Sequence, residues 1–116
     1  MMTIYNSEVN DTTIAFNFSR LKNQIFHLLP CNEEGENWLK PLDTIILEVA
    51  GILSLFPENA KIFELLSKLE GLKVQGKEIE FQWFRRIIFE CCSLAQVIEN
   101  SFSSQERKNV IRNAQN

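Results

Sequence analysis

The sequence predicts an all-α protein, an antiparallel bundle of four to five helices. Apolar residues recur at intervals of three and four along most of the chain, which is the spacing that gives a helix one apolar face. Proline and glycine are sparse and divide the 116 residues into helix-length pieces joined by short loops. A chain of this length is expected to form one domain, covering residues 1–116.

Composition places the chain among ordinary globular proteins and restricts its partners. The hydrophobic fraction is 45% and the charged fraction 23%. A net charge of −3, with a pI of about 5.2, disfavours nucleic acid as a partner. Three cysteines without a secretory signal favour reduced thiols and a cytoplasmic location. No apolar run is long enough to span a bilayer, so no membrane association is expected.

The first helix is predicted over residues 11–29. Asp11 can cap its first turn, and Pro30 is expected to end it. Its apolar stripe consists of Ile14, Phe18, Leu21, Ile25, Leu28 and Leu29. Residues 1–10 are expected to form a flexible or short extended arm. Residues 31–40 are expected to form a loop in which Trp38 and Leu39 turn back to the core.

The second helix is predicted over residues 41–56, with Pro41 in its first turn. Its inner stripe consists of Leu42, Ile45, Ile46, Val49, Ile52, Leu53 and Phe56. The opposite face is small or apolar, since it carries Thr44, Leu47, Gly51 and Ser54. A helix of this kind is often covered on both sides, so we expect it to be central either in the bundle or in a dimer.

The third helix is predicted over residues 57–70, because Pro57 suits a helix start and Gly71 suits the position after a helix end. Its inward residues are predicted to be Ile62, Phe63, Leu65, Leu66 and Leu69. The next segment, residues 72–81, has apolar residues on both sides of Gln75 and Gly76. It is compatible with a small hairpin or with a loop that leads into the next helix.

The fourth helix, predicted over residues 77–102, has the clearest periodicity. One face carries Phe84, Ile87, Ile88, Cys91, Leu94, Ala95, Ile98 and Phe102. Ser103 and Glu106 then have the spacing of a capping box, which predicts a short fifth helix through Arg112. Residues 113–116 are expected to fray.

No catalytic, metal or cofactor motif is present, so we expect a protein that is not an enzyme and binds no cofactor. His27 is the only histidine and is predicted to lie on the exposed side of the first helix. Cys91 is expected to be buried in the core, and Cys92, at the edge of the apolar face, to be the more reactive of the two. The acidic residues Glu33, Glu34 and Glu36 lack the spacing of a calcium loop.

Phe89 is the candidate for a partner-binding residue, because it lies in the polar stripe of the fourth helix beside Arg85 and Arg86. An exposed aromatic residue rimmed by arginines is typical of protein-interface hot spots. The alternative is that the fifth helix or the N-terminal arm covers Phe89. The two arginines are expected to be solvated and to pair with acidic residues, the candidates being Glu78, Glu90 and Glu99.

Two further places carry apolar or small residues where polar ones are expected. Phe16 falls on the polar side of the first helix, near Arg20. Leu47 with Gly51 would allow another helix to approach the second helix closely.

Three functions are compatible with these features. The first is a non-enzymatic protein–protein interaction module, such as a regulator, adaptor, inhibitor or accessory subunit, with self-association into a homodimer as one form of that interaction. The second is an accessory subunit of a nucleic-acid complex. It would touch the backbone through its basic residues, which are Arg85, Arg86, Arg107, Lys108 and Arg112. The third is a small-ligand carrier or an enzyme with a pocket inside the bundle.

Overall fold

The computed structural model is all-α, as the sequence predicts. It describes residues 11–115, with side chains described for residues 12–103. Four long helices and one short helix follow one another as α1 Asp11–Phe26, α2 Leu28–Glu33, α3 Leu39–Leu55, α4 Ala60–Gln75 and α5 Phe81–Gln115. A single 3₁₀ turn, Gly76–Glu78, joins α4 to α5, and the described residues contain no strand.

The four long helices form an antiparallel bundle. α1 packs along α5, and α4 lies between α3 and α5. Two contacts show that α1 and α5 are antiparallel. Lys22 of α1 contacts Gln96 of α5. Phe26, which comes later in α1, contacts Phe89, which comes earlier in α5. Short connections reverse the chain between α3, α4 and α5. Within the described residues, no helix combines the length and apolar character needed to cross a bilayer.

One continuous apolar core fills the space between the helices. The predicted stripes of α1 and α5 are confirmed, since Phe18, Leu21, Phe84 and Ile88 are fully buried. Aromatic contacts fix both ends of this core. At one end Trp38 contacts Phe84, with centroids 4.7 Å apart, and at the other Phe56 contacts Phe102, with centroids 5.2 Å apart.

Pro30 does not act as the sequence suggested. It was predicted to end the first helix, but that helix ends at Phe26 and Pro30 is the third residue of α2. Pro41 lies in the first turn of α3, as predicted, although the helix begins two residues earlier than expected, at Leu39. The first turn of a helix has no internal partners for its N–H groups, so proline costs little there. The backbone N–H of Leu39 is instead satisfied by Oδ1 of Asn37, 3.2 Å away.

The outer face of α3 is not covered within the bundle. Leu47 is 74% exposed, and Thr44, Gly51 and Ser54 are also exposed. The expectation that this helix is central in the bundle is therefore wrong, because α3 packs chiefly on α4 with only one side. The alternative of a dimer stays a prediction.

α4 begins later and ends later than predicted. Asn59 is its N-cap, and Asn59 Oδ1 accepts a hydrogen bond of 3.0 Å from the backbone N–H of Ile62, which sets the start at Ala60 rather than Pro57. The helix continues through Gly71 to Gln75. Of the two alternatives for residues 72–81, the hairpin is therefore wrong, and the connection that leads into the next helix is confined to residues 76–80. Phe63 was predicted to face inward but is 60% exposed, because it lies about 100° around the helix from the buried Ile62.

α5 is one continuous helix of 35 residues, and the separate fifth helix predicted from Ser103 is wrong. No glycine or proline follows Gly76 in the sequence, so nothing interrupts the helix once it begins at Phe81. The fraying expected from residue 113 is not seen as far as Gln115. The predicted arm, residues 1–10, and Asn116 lie outside the described residues.

The two glycines at the end of α4 should respond oppositely to alanine. Gly71 lies inside the helix, and a Cβ there would meet nothing within 4 Å, so Gly71→Ala should raise the free energy of unfolding by roughly 0.5–1 kcal/mol. Gly76 ends the helix with φ 71° and ψ −164°, a conformation essentially restricted to glycine. Gly76→Ala should therefore lower the free energy of unfolding by about 1–3 kcal/mol.

Urea unfolding followed by circular dichroism measures both changes. The two variants are matched controls for each other, since they make the same change five residues apart. A loss of stability in Gly71→Ala would mean that the helix ends at Gly71 after all.

Candidate functional site

Phe89 of α5 and Phe26 of α1 form an aromatic pair at the surface. Their ring centroids are 6.1 Å apart and their planes meet at 63°, an edge-to-face arrangement. Both rings remain open to solvent, Phe89 by 40% and Phe26 by 49%. The first alternative for Phe89, cover by a separate fifth helix, is wrong because α5 runs on without a break. The second alternative, cover by the N-terminal arm, concerns residues 1–10, which lie outside the described part of the chain. Among the described residues, Phe26 contacts one side of the Phe89 ring, and Phe89 keeps 40% of its surface exposed.

Arg85 lies on the same ring. Its Cζ atom is 4.9 Å from the centroid of Phe89, which is a cation–π contact one helical turn apart. Among the described side chains, no carboxylate pairs with Arg85. Phe26, Phe89 and Arg85 together are called the aromatic surface below.

A shallow groove of about 670 Å³ adjoins the aromatic surface. It follows the outer face of α5 and is bounded on one side by α4. It contains all three candidate residues that the sequence placed on this helix. The groove is lined by Glu64, Lys68, Gln82, Arg85, Arg86, Phe89, Glu90, Ser93 and Leu94.

The charges along the groove are not equally engaged. Glu90 is shared by two cations, because Lys68 Nζ lies 3.1 Å from one of its oxygens and Arg86 Nε lies 3.5 Å from the other. The hydrogen bond to the Glu90 carboxylate raises the pKa of Lys68. Arg86 also lies over the ring of Trp83, with Cζ 5.7 Å from the centroid. Of the two arginines, Arg85 is therefore the one without an acidic partner in the described part of the chain.

The other predicted contact residues lie elsewhere. Phe16, on α1, is 69% exposed, and Leu47 and Gly51 are exposed on α3. None of the three lines the groove. Ser54 Oγ donates a hydrogen bond of 2.6 Å to the carbonyl of Gly51. Their role in binding a partner stays a prediction, separate from the aromatic surface.

Phe26 is the residue of this surface that sequence reasoning missed. It lies between the apolar and polar faces of α1, so periodicity alone gives it no definite side. Only the antiparallel pairing of α1 with α5 brings it to Phe89. The side chains of Arg107, Lys108 and Arg112, on which the nucleic-acid hypothesis depends, lie outside the described residues.

The thiols and the histidine occupy distinct environments. Cys91 is buried as predicted, and burial raises its pKa to about 12. Burial also raises the pKa of Cys92, whose Sγ lies 3.7 Å from the carbonyl oxygen of Lys22. That Cys92 is the more reactive of these two thiols stays a prediction. His27 is exposed, as predicted. No cluster of three or more potential metal ligands occurs among the described residues.

Comparison with known proteins returns no relative. No protein-family model matches the chain, and neither a curated protein nor a solved structure is significantly similar to it.

The three thiols should differ in their reaction with iodoacetamide. The thiolate is the reacting form, and burial of the Cys31 thiol, with the Glu36 carboxylate nearby, raises its pKa as well. At about pH 8 we expect the folded protein to react more slowly than the protein unfolded in urea at all three positions, with Cys91 unmodified. Alkylation of Cys31 and Cys92 should accelerate as the pH rises toward their elevated pKa values.

Mass spectrometry of the digested protein measures each site separately. The urea-unfolded protein is the reference for an ordinary cysteine. Rapid modification of Cys91 in the folded protein would contradict its burial in the core.

Proposed function

We propose that the protein is a non-enzymatic protein-binding module that docks a partner protein on its aromatic surface. One observation carries this proposal: two half-exposed phenylalanine rings from different helices meet at the surface, and an arginine without an acidic partner among the described residues stacks on one of them. Aromatic residues and arginine are the residue types enriched at the centre of protein interfaces.

The energetics of the rings favour docking. Burying a phenylalanine side chain completely stabilises a complex by roughly 1.5–3 kcal/mol, so covering the exposed half of Phe26 and of Phe89 is worth about 1 kcal/mol each. The rings are held by their mutual contact and by Arg85 before any partner arrives. Little conformational freedom is then lost when the partner binds.

The adjoining groove supports a peptide or helix rather than a small molecule as the ligand. It is shallow and open to solvent along the outer face of α5. Small-molecule sites are usually concave and bury most of the surface of the ligand. A groove beside a helix suits an extended or helical segment that places one apolar residue on the rings.

Peptide selection tests this proposal. A displayed library of random peptides of about 16 residues is selected on the full chain, and each enriched peptide is measured against the variants Phe89→Ala and Phe26→Ala. We expect each variant to weaken binding about tenfold, the loss typical of an interface hot-spot residue. Phe63→Ala is the matched control, because Phe63 is also exposed but does not line the groove.

The proposal fails if selection on the chain yields no specific peptide, or if Phe89→Ala binds the selected peptides as well as the unmodified protein does. Thermal unfolding of each variant verifies that the bundle is intact. A loss of binding that is equal in Phe63→Ala would also contradict the proposal, since it would place the binding site elsewhere.

A further inference from the structure

We infer that the segment docked on the aromatic surface is acidic, with a carboxylate seated on Arg85 and an apolar side chain on the two phenylalanine rings. The inference rests on the proposed function and names the chemistry of the partner. It follows from how the charges of the groove are already engaged.

Arg85 has unused hydrogen-bond donors. The guanidinium lies over the Phe89 ring, with Cζ 4.9 Å from the ring centroid. This contact with the ring engages none of the five N–H groups in a hydrogen bond to an oxygen atom, and guanidinium N–H groups can hold a carboxylate in a bidentate fashion. The described side chains provide no such carboxylate for Arg85. A partner can therefore supply one.

The remaining charges favour one position for that acid. Glu90 is held by Lys68 and Arg86, and Glu64 also lies along the α4 side of the groove. A partner carboxylate placed on that side would meet the carboxylates of Glu64 and Glu90, and the cations there, Lys68 and Arg86, are both already paired with Glu90. At the α1 side it meets Arg85 and no carboxylate that lines the groove.

The groove as a whole is also complementary to an acidic segment. Its lining contains three cations, Lys68, Arg85 and Arg86, against two carboxylates, Glu64 and Glu90, which gives a net charge of +1. The whole chain carries −3. The groove is therefore a locally positive place on a negative protein, and that contrast directs an acidic segment to it.

The apolar part of the partner must lie close to its acid. Arg85 and the ring of Phe26 each contact the ring of Phe89, so a single short segment has to reach both the guanidinium and the rings. An aspartate or glutamate beside a leucine or an aromatic residue, either adjacent or one helical turn away, satisfies this spacing.

The composition of the selected peptides and the two arginine variants test the inference. Peptides enriched on the full chain should contain Asp or Glu near a large apolar residue. Arg85→Gln should weaken the binding of the strongest peptides on the order of tenfold. When the acidic residue of the peptide is changed to its amide, the difference in affinity between the unmodified protein and Arg85→Gln should mostly disappear. Arg86→Gln is the matched control and should have the smaller effect, because Arg86 is already paired with Glu90.

Three outcomes overturn the inference. Selected peptides that depend on Phe89 but are neutral or basic, or that bind Arg85→Gln unchanged, leave the proposed function standing and refute the acidic partner. If Arg86→Gln loses more affinity for the selected peptide than Arg85→Gln does, the assignment of the partner's carboxylate to Arg85 is refuted. Displacement of the peptide by a single-stranded oligonucleotide at low salt, with the same dependence on Arg85, assigns the groove to nucleic acid instead.

Discussion

The packing of α1 against α5 is the contact on which the rest of the structure depends. It buries Phe18, Leu21, Phe84 and Ile88 in one core and joins the first helix of the chain to the last. The same pairing fixes which polar residues meet at its edge, where Lys22 contacts Gln96 and Glu99. Phe26 and Phe89 become neighbours only because the two helices run in opposite directions at this register.

The ion pairs of the bundle are secondary to this apolar contact. Arg20 pairs with Glu48 between α1 and α3, and Lys73 pairs with Asp43 between α3 and α4, all of them with side chains open to water to some degree. Exposed pairs of this kind typically contribute between nothing and about 1 kcal/mol each. The stability of the bundle therefore rests on the apolar core and not on these pairs.

Periodicity predicted the helices and the buried faces of α1 and α5 well, because a long apolar stripe depends only on local spacing. It failed at helix boundaries for a physical reason that Pro30, Pro41 and Gly71 illustrate. Proline is tolerated anywhere in the first turn of a helix, and a glycine inside a helix costs only about 1 kcal/mol, so neither residue marks an end by itself. The true end of α4, Gly76, differs from Gly71 in its backbone conformation, which composition does not reveal.

Some residues of the candidate site could be predicted from the sequence and others could not. Arg85, Arg86 and Phe89 lie within two turns of one helix, so their shared face could be predicted from spacing. Phe26 could not, because it comes from a helix more than fifty residues earlier in the chain. The pairing of Glu90 with Arg86 has the i,i+4 spacing of a helical ion pair, whereas Arg85 is five residues away. The second cation on Glu90, Lys68, was beyond the sequence because it comes from α4.

If the aromatic surface docks a partner as proposed, Glu90 has a consequence for which ligands it would accept. By occupying Lys68 and Arg86 at once, this one carboxylate turns a strip of three positive side chains into a single open cation beside an aromatic ring. A polyanion such as a nucleic-acid backbone gains from many free cations in a row, whereas a lone carboxylate needs only one. An acidic residue in the middle of a basic strip can thus tune which negatively charged molecules a helix surface accepts, without touching any of them.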